Sequence, residues 1–136
     1  MKRIAFLVVL SLILLAACGT SSGSSDDDST APLATVPAEF VGKMNPLGVE
    51  AATDGAAVFK TNCEMCHGPQ GHGDGPAGQS LEPKPKNLGA LQKTVGDDYL
   101  FWRIHDGKPG TSMVAWKGIL TEEQIWQAVS FIRTLE

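Results

Sequence analysis

Residues 61–76 read TNCEMCHGPQGHGDGP and contain two of the chain's three cysteines and two of its three histidines. Thiols and imidazoles gathered this closely bind something. Cys63-x-x-Cys66 admits three readings, a redox dithiol, half of a zinc site, or the attachment point of a covalent haem, and each requires a different protein around it.

Three helical patterns flank this stretch. Residues 53–63, with Thr53 or Asp54 as cap, lead into the cysteines. Residues 96–107 place Asp97 and Asp98 at a helix start, where the macrodipole favours carboxylates, and stop at Gly107; Leu100, Phe101 and Ile104 share one face. The third is the clearest: Thr121-x-x-Gln124 is a capping box, and Ile125, Ala128, Val129, Ile132 and Leu135 follow helical spacing. No stretch alternates as a strand. Between the helices lie two long glycine- and proline-rich segments, 68–95 and 107–120, too much loop for so small a domain to stand on side-chain packing alone. Something else must fill its middle.

Zinc needs four ligands, and beyond Cys63, Cys66 and His67 the only further histidines are His72 and His105, with no second Cys pair. Cys63, Cys66, His72 and His105 make a set on paper but leave His67 without a role. A thioredoxin-like dithiol follows a strand, whereas a helix precedes this motif. A disulfide across a two-residue gap closes too short a loop to stabilise a fold much. Haem accounts for the whole cluster: in Cys-x-x-Cys-His the thiols add across the vinyl groups, and the histidine becomes the proximal iron ligand.

The N-terminus agrees with that chemistry. Lys2 and Arg3 precede an apolar run from Ile4 to Ala17 broken only by Ser11, the layout of a secretory signal. As a helix, 14 residues cover only ~21 Å of a ~30 Å hydrocarbon core, so a cleaved signal is expected rather than a span. Leu15-Ala16-Ala17-Cys18 resembles the bacterial lipobox, which implies that Cys18 is acylated and anchors the chain outside the cytoplasm. Residues 1–17 are then a signal peptide, 18–51 a lipidated N-terminus and flexible linker rich in Ser, Gly, Asp and Pro, and 52–136 the haem domain. The linker's Asp26-Asp27-Asp28 reads as a solvated spacer. Without Lys2 and Arg3 the chain has 9 basic against 15 acidic residues, so nucleic acid is not an expected partner, while the eight basic and ten acidic residues from position 52 onward are too even to select a protein one.

Over nearly all of residues 52–136 the chain resembles the class I c-type cytochromes, the small bacterial single-haem domains, through Cys63-Glu64-Met65-Cys66-His67, the following GPQGHGDGP, KPKNL, GKPGTSM and the terminal LTEEQIWQAVSFIRTL. The resemblance implies an all-α, cytochrome c-like fold of three helices wrapped around one covalent haem c, with long irregular loops. It implies that Gly55 and Phe59 on the first helix meet Ala128 and Phe131 on the last. It also implies that Met113, 46 residues after His67, is the distal iron ligand, with Trp116 packed beside the haem. Val114 stands where the family commonly has proline, which predicts a looser ligand loop. His72 and His105 are rival ligands better read as exposed or hydrogen-bonded side chains. Leu88, Leu100, Ile104, Trp116 and Ile119 are expected to line the pocket, a proline carbonyl to accept from the His67 ring, Pro85 being the family-like one with Pro76 and Pro83 as competitors, and Arg103 or Lys108 to face a propionate or solvent.

The expected function is electron transfer by a membrane-anchored protein on the periplasmic face, passing electrons between redox proteins as a shuttle or as the haem subunit of a larger quinol-oxidising or oxidase complex. It is not expected to be an enzyme on its own. Thioether ligation favours ferrous iron and raises the potential over bis-histidine ligation. The alternative is a haem peroxidase or gas sensor with an open sixth position, which would need a distal acid or base that the sequence does not supply.

Overall fold

The computed structural model describes residues 32–136. The apolar run, Cys18 and the aspartate run lie outside the described residues, and with them the signal-peptide and lipid-anchor expectations. Among the described residues no helix is long and apolar enough to cross a membrane.

The three expected helices are present as α1 (Ala52–Asn62), α4 (Asp97–Asp106) and α5 (Glu122–Ile132), joined by two short ones, α2 (Glu64–His67) and α3 (Leu88–Gln92). The described residues contain no β-strand, only an isolated bridge between Lys117 and Leu120. The described residues are all-α, as expected.

Local chemistry explains most boundaries. The capping box opens α5: Thr121 Oγ1 accepts from Gln124 N–H at 3.1 Å, and Gln124 Oε1 accepts from Thr121 N–H at 2.9 Å. Asp97 and Asp98 occupy the first turn of α4, which ends at Gly107. The start of α1 differs from expectation, because neither Thr53 nor Asp54 caps it. A 3₁₀ turn at Val49–Ala51 runs straight into the helix and its carbonyls take the first amides, so no side-chain cap is needed. Within the 68–95 segment, Asn87 caps α3 by accepting from Ala90 N–H at 2.9 Å.

The α1–α5 crossing organises the core. Phe59, Ile125, Ala128 and Val129 are almost completely buried, and Phe59 meets Phe131 at 5.0 Å between ring centroids. The helices approach so closely at Gly55 that a Cβ there would stand 1.9 Å from the carbonyl oxygen of Gln127. Helix α4 closes the other side, Phe101 stacking on Trp126 at 4.1 Å. Arg133, just past α5, ties the corner: its Nε and Nη2 donate to Asp97 Oδ1 at 2.8 and 2.7 Å, Nη2 donates to the Val95 carbonyl at 3.0 Å, and Nη1 donates to the Gln92 carbonyl.

The stretch expected to be flexible linker is not free where it is described. Phe40 is 6% exposed, its ring 6.1 Å from Phe101 and 5.4 Å from His105, and Val36 and Leu47 pack beside the same core. Asn45 accounts for the register: its N–H donates to Asp97 Oδ2 at 3.1 Å, and its amide donates to the Trp126 carbonyl and Ser130 Oγ at 3.1 and 2.9 Å. Composition marked these residues as linker because one buried phenylalanine and one asparagine make no periodic pattern.

Candidate haem site

Helix α1 ends at Cys63, whose carbonyl accepts from the amides of Cys66 and His67 at 3.1 and 2.9 Å and so starts α2. The CxxCH segment is thus one helical turn fixed to the end of a core helix. The glycine-rich sequence after it wraps back over this turn, with Gly73 N–H donating to the His67 carbonyl at 2.8 Å, Gly75 N–H to that of Cys66 at 3.2 Å, and Ala77 N–H to that of Met65 at 3.0 Å. Backbone lies directly on backbone here. Gly73 has φ +81°, and a Cβ on it would stand 2.2 Å from the Pro85 carbonyl oxygen, so any other residue would be both strained and blocked.

Beside this turn opens a largely apolar cavity of about 270 Å³. Cys63, Cys66, His67 and Met113, which lie up to 50 residues apart in sequence, all line it. The walls include Phe59 from α1, Leu88 and Leu91 from α3, Leu100 and Ile104 from α4, Ile132 from α5, and Trp116. Four of the five expected lining residues are there. Ile119 is not: it is 65% exposed, in a turn closed by its own amide on the Trp116 carbonyl at 3.0 Å, which carries it away from the pocket. Tyr99 and the segment Pro32–Ala34 line the cavity without having been foreseen. Tyr99 lies one turn before Arg103 and was legible in principle, whereas Pro32–Ala34 carry no sequence signal.

Burial and the neighbouring Cys66 push the Cys63 thiol up to about 12. A protonated thiol is the opposite of the low-pKa thiolate that a redox dithiol uses. Burial pushes the His67 ring below its usual proton affinity, opposed by the Lys86 backbone carbonyl, so the imidazole is neutral, the form that ligates metals. His67 Nδ1 is buried and takes no hydrogen bond of good geometry. The expected acceptor was Pro85, but its carbonyl packs against Gly73 instead. A neutral, buried imidazole and two cysteine side chains on one cavity fit a covalently held haem. They would hold it through two thioethers and a nitrogen ligand, and the haem would supply a one-electron iron centre.

Met113 is brought in by a closed loop. Lys108 N–H donates to the Met113 carbonyl at 2.9 Å, Thr111 Oγ1 donates to the Lys108 carbonyl at 2.8 Å, and Met113 N–H donates back to Thr111 Oγ1 at 3.2 Å. Trp116 and Lys117 amides then bond the Ile104 and His105 carbonyls, both at 3.1 Å, pinning the loop to α4. Val114, in the position of the expected proline, is 57% exposed. The rival histidines stay outside the cavity. His72 is exposed on the glycine loop, while His105 lies between Phe40 and Phe101 with Nδ1 2.8 Å from Asp106 Oδ1. Among the described residues no cluster of three or more His, Cys, Asp or Glu is arranged to hold a metal ion. At the rim, the Arg103 guanidinium lies 3.8 Å from the Trp102 ring centroid and 5.4 Å from that of Tyr99.

Comparison with known proteins follows the same line. A chain of the reducing HAO-like protein complex of Kuenenia stuttgartiensis superposes with a TM-score of 0.60 at 21% identity, covering 77% of this chain and 50% of that one, which shows a shared fold. Cytochrome cL of the marine methylotroph Methylophaga aminisulfidivorans is similar at 27% identity and a TM-score of 0.49, over 62% of this chain and 53% of that one. The chain thus spans about half the length of each solved structure. No curated protein matches it significantly. Residues 50–132 match the family described as cytochrome c oxidase, cbb3-type, subunit III, and the chain belongs to that family of c-type cytochromes, haem proteins of electron transport.

Proposed function

We propose that this protein carries a single haem c, joined to Cys63 and Cys66 by thioethers and ligated by His67 and Met113, and that it passes electrons one at a time without substrate chemistry of its own. The observation that carries this reading is the meeting of Met113 with His67 and both cysteines on one cavity. A second axial ligand closes the iron to exogenous ligands and leaves outer-sphere electron transfer as its chemistry. The cavity lining, among the described residues, contains no carboxylate and neither His72 nor His105, which supports a carrier over a peroxidase.

The protein sits on the periplasmic face of the membrane, held by lipid on Cys18, where its redox partners are membrane-bound. The family's description as an oxidase subunit supports a place as the haem subunit of a larger assembly. Lipid confinement then raises the effective concentration of each partner.

The oxidised protein should show a near-infrared methionine-to-iron charge-transfer band. Met113→His should abolish the band, keep six-coordination and lower the potential. An unchanged band and potential would remove Met113 from the iron. Haem lost on denaturation would refute the thioethers, and a Cys18→Ser protein still fractionating with membranes would refute the lipid anchor.

A further inference from the structure

The match to the family begins at residue 50, but the wall of the cavity begins earlier in the chain. Pro32, Leu33 and Ala34 line it together with Cys63, His67 and Met113. Among the described residues no hydrogen bond involves residues 32–36. Leu33 is 46% exposed, so it forms a thin cover with the cavity on one side and solvent on the other. A segment without bonds of its own keeps its place only if the chain beyond it is held.

The next residues supply that hold. The Pro37 carbonyl accepts from Phe40 and Val41 N–H at 2.9 and 3.1 Å, closing a turn that delivers the Phe40 ring against Phe101 and His105, one turn apart on α4. Lys43 Nζ lies 5.9 and 5.7 Å from the ring centroids of Phe40 and Phe101, a cation over both faces of the contact. Gly42 N–H donates to Asp98 Oδ2 at 3.0 Å, and Asn45 bonds Asp97 on α4 and the Trp126 carbonyl and Ser130 on α5. From Ala34 to Phe40 the chain can extend no further than about 20 Å, and Pro32 and Pro37 each fix a φ angle. Seating Phe40 therefore keeps the cover at high local concentration over the cavity.

We infer that residues 32–47 form a strap that completes the haem pocket, with Leu33 as a residue of that pocket and Phe40 as the positioning residue that, with Asn45, holds it there. This rests on the reading of the cavity as the haem site. An apolar cover excludes water, and solvent access and local dielectric are among the means by which a protein sets the potential of a haem. Excluding water disfavours the more highly charged ferric state. A seated strap thus raises the potential and an unseated one lowers it. The segment matched to the family, residues 50–132, contains neither cover nor clip, so the strap is a setting that this chain adds to the family's fold.

The full-length holoprotein is equilibrated with a redox mediator couple, and its ferric-to-ferrous ratio is read from the visible spectrum at a fixed poise. Leu33→Ser, at a half-exposed site without hydrogen bonds, should raise that ratio roughly three- to tenfold by admitting water. Phe40→Ala should move it in the same direction and speed hydrogen exchange at the Gly42 and Asn45 amides, and Phe40→Leu, which refills the gap, should recover most of the wild-type ratio. Leu33→Met, and Val41→Ser on the exposed side of the strap, should match wild type. A haem-loaded Leu33→Ser protein with the wild-type ratio would overturn the strap's part in the pocket while leaving the haem reading intact, and that variant decides the question if Phe40→Ala does not fold. A Phe40→Ala protein that exchanges fast but keeps the wild-type ratio would overturn the clip. A protein without covalent haem would overturn the reading of the site itself.

Discussion

Replacing Gly55 by alanine sets two effects of known sign against each other. In an isolated helix, alanine is better than glycine by about 1 kcal/mol, so propensity alone predicts stabilisation. In this fold the new Cβ would stand 1.9 Å from the Gln127 carbonyl oxygen and 2.9 Å from Phe131 Cβ. The oxygen belongs to the backbone of α5 and cannot rotate away. Restoring ordinary contact near 3.4 Å requires the helices to part by about 1.5 Å at this point. Separation on that scale forfeits a quarter to a half or more of the dispersion energy of the facing atoms. Those atoms include Phe59, Ala128 and Val129, each at most 1% exposed.

Overpacking costs about 1–3 kcal/mol, and a backbone obstacle puts the cost at the upper end. Subtracting the propensity gain leaves a net loss of about 2 kcal/mol, which should lower the thermal midpoint of the holoprotein by about 8–16 °C. Far-ultraviolet circular dichroism and Soret absorbance through a guanidinium titration would give the same loss as a lower midpoint at constant m. Ala57→Gly, on the exposed face of the same helix, provides the scale of propensity alone, a loss of about 1 kcal/mol. A Gly55→Ala protein as stable as wild type, or more so, would show that close helix approach is not the reason for glycine at this position.

Phe40→Ala should destabilise the domain by about 3 kcal/mol and speed hydrogen exchange at the Gly42 and Asn45 amides; a silent substitution would mean that residues 36–47 are linker after all. Arg133→Ala removes donors to Asp97, Val95 and Gln92 and should cost about 2–3 kcal/mol in a denaturation midpoint, with lysine recovering less than half because one ammonium cannot reproduce the fork. The Lys117 hydrogen bond, opposed by burial and helped by His105, holds the Asp106 carboxyl below its ordinary 3.8. A depressed folded value gives stability that is present above 3.8 and lost as pH falls through the folded value. The gap between wild type and Asp106→Asn should therefore be open at neutral pH and close in that acid window; a gap that widened with acid would contradict the pairing.

Much of this protein can be read in one dimension because its strongest constraints are local. Cys63, Cys66 and His67 fall within one helical turn, so their spacing alone places them together, and the Thr121–Gln124 capping box needs only four residues. The amphipathic faces of α4 and α5 follow from 3.6-residue periodicity. Met113 was singled out by the family resemblance of its short context, and the fold brings it to the same cavity as the cysteines.

What needed the third dimension was everything set by non-local approach. That the Pro85 carbonyl packs on Gly73, leaving Lys86 beside the His67 ring, depends on how two loops without periodicity lie against each other. That Ile119 turns out to solvent is decided by a turn, not by hydrophobicity. Phe40 looks like a stray aromatic in a proline-rich tail until α4 and α5 supply the surface that buries it. Periodicity and short motifs record which residues are neighbours along the chain; only packing, where each contact depends on all the others, records which surfaces meet.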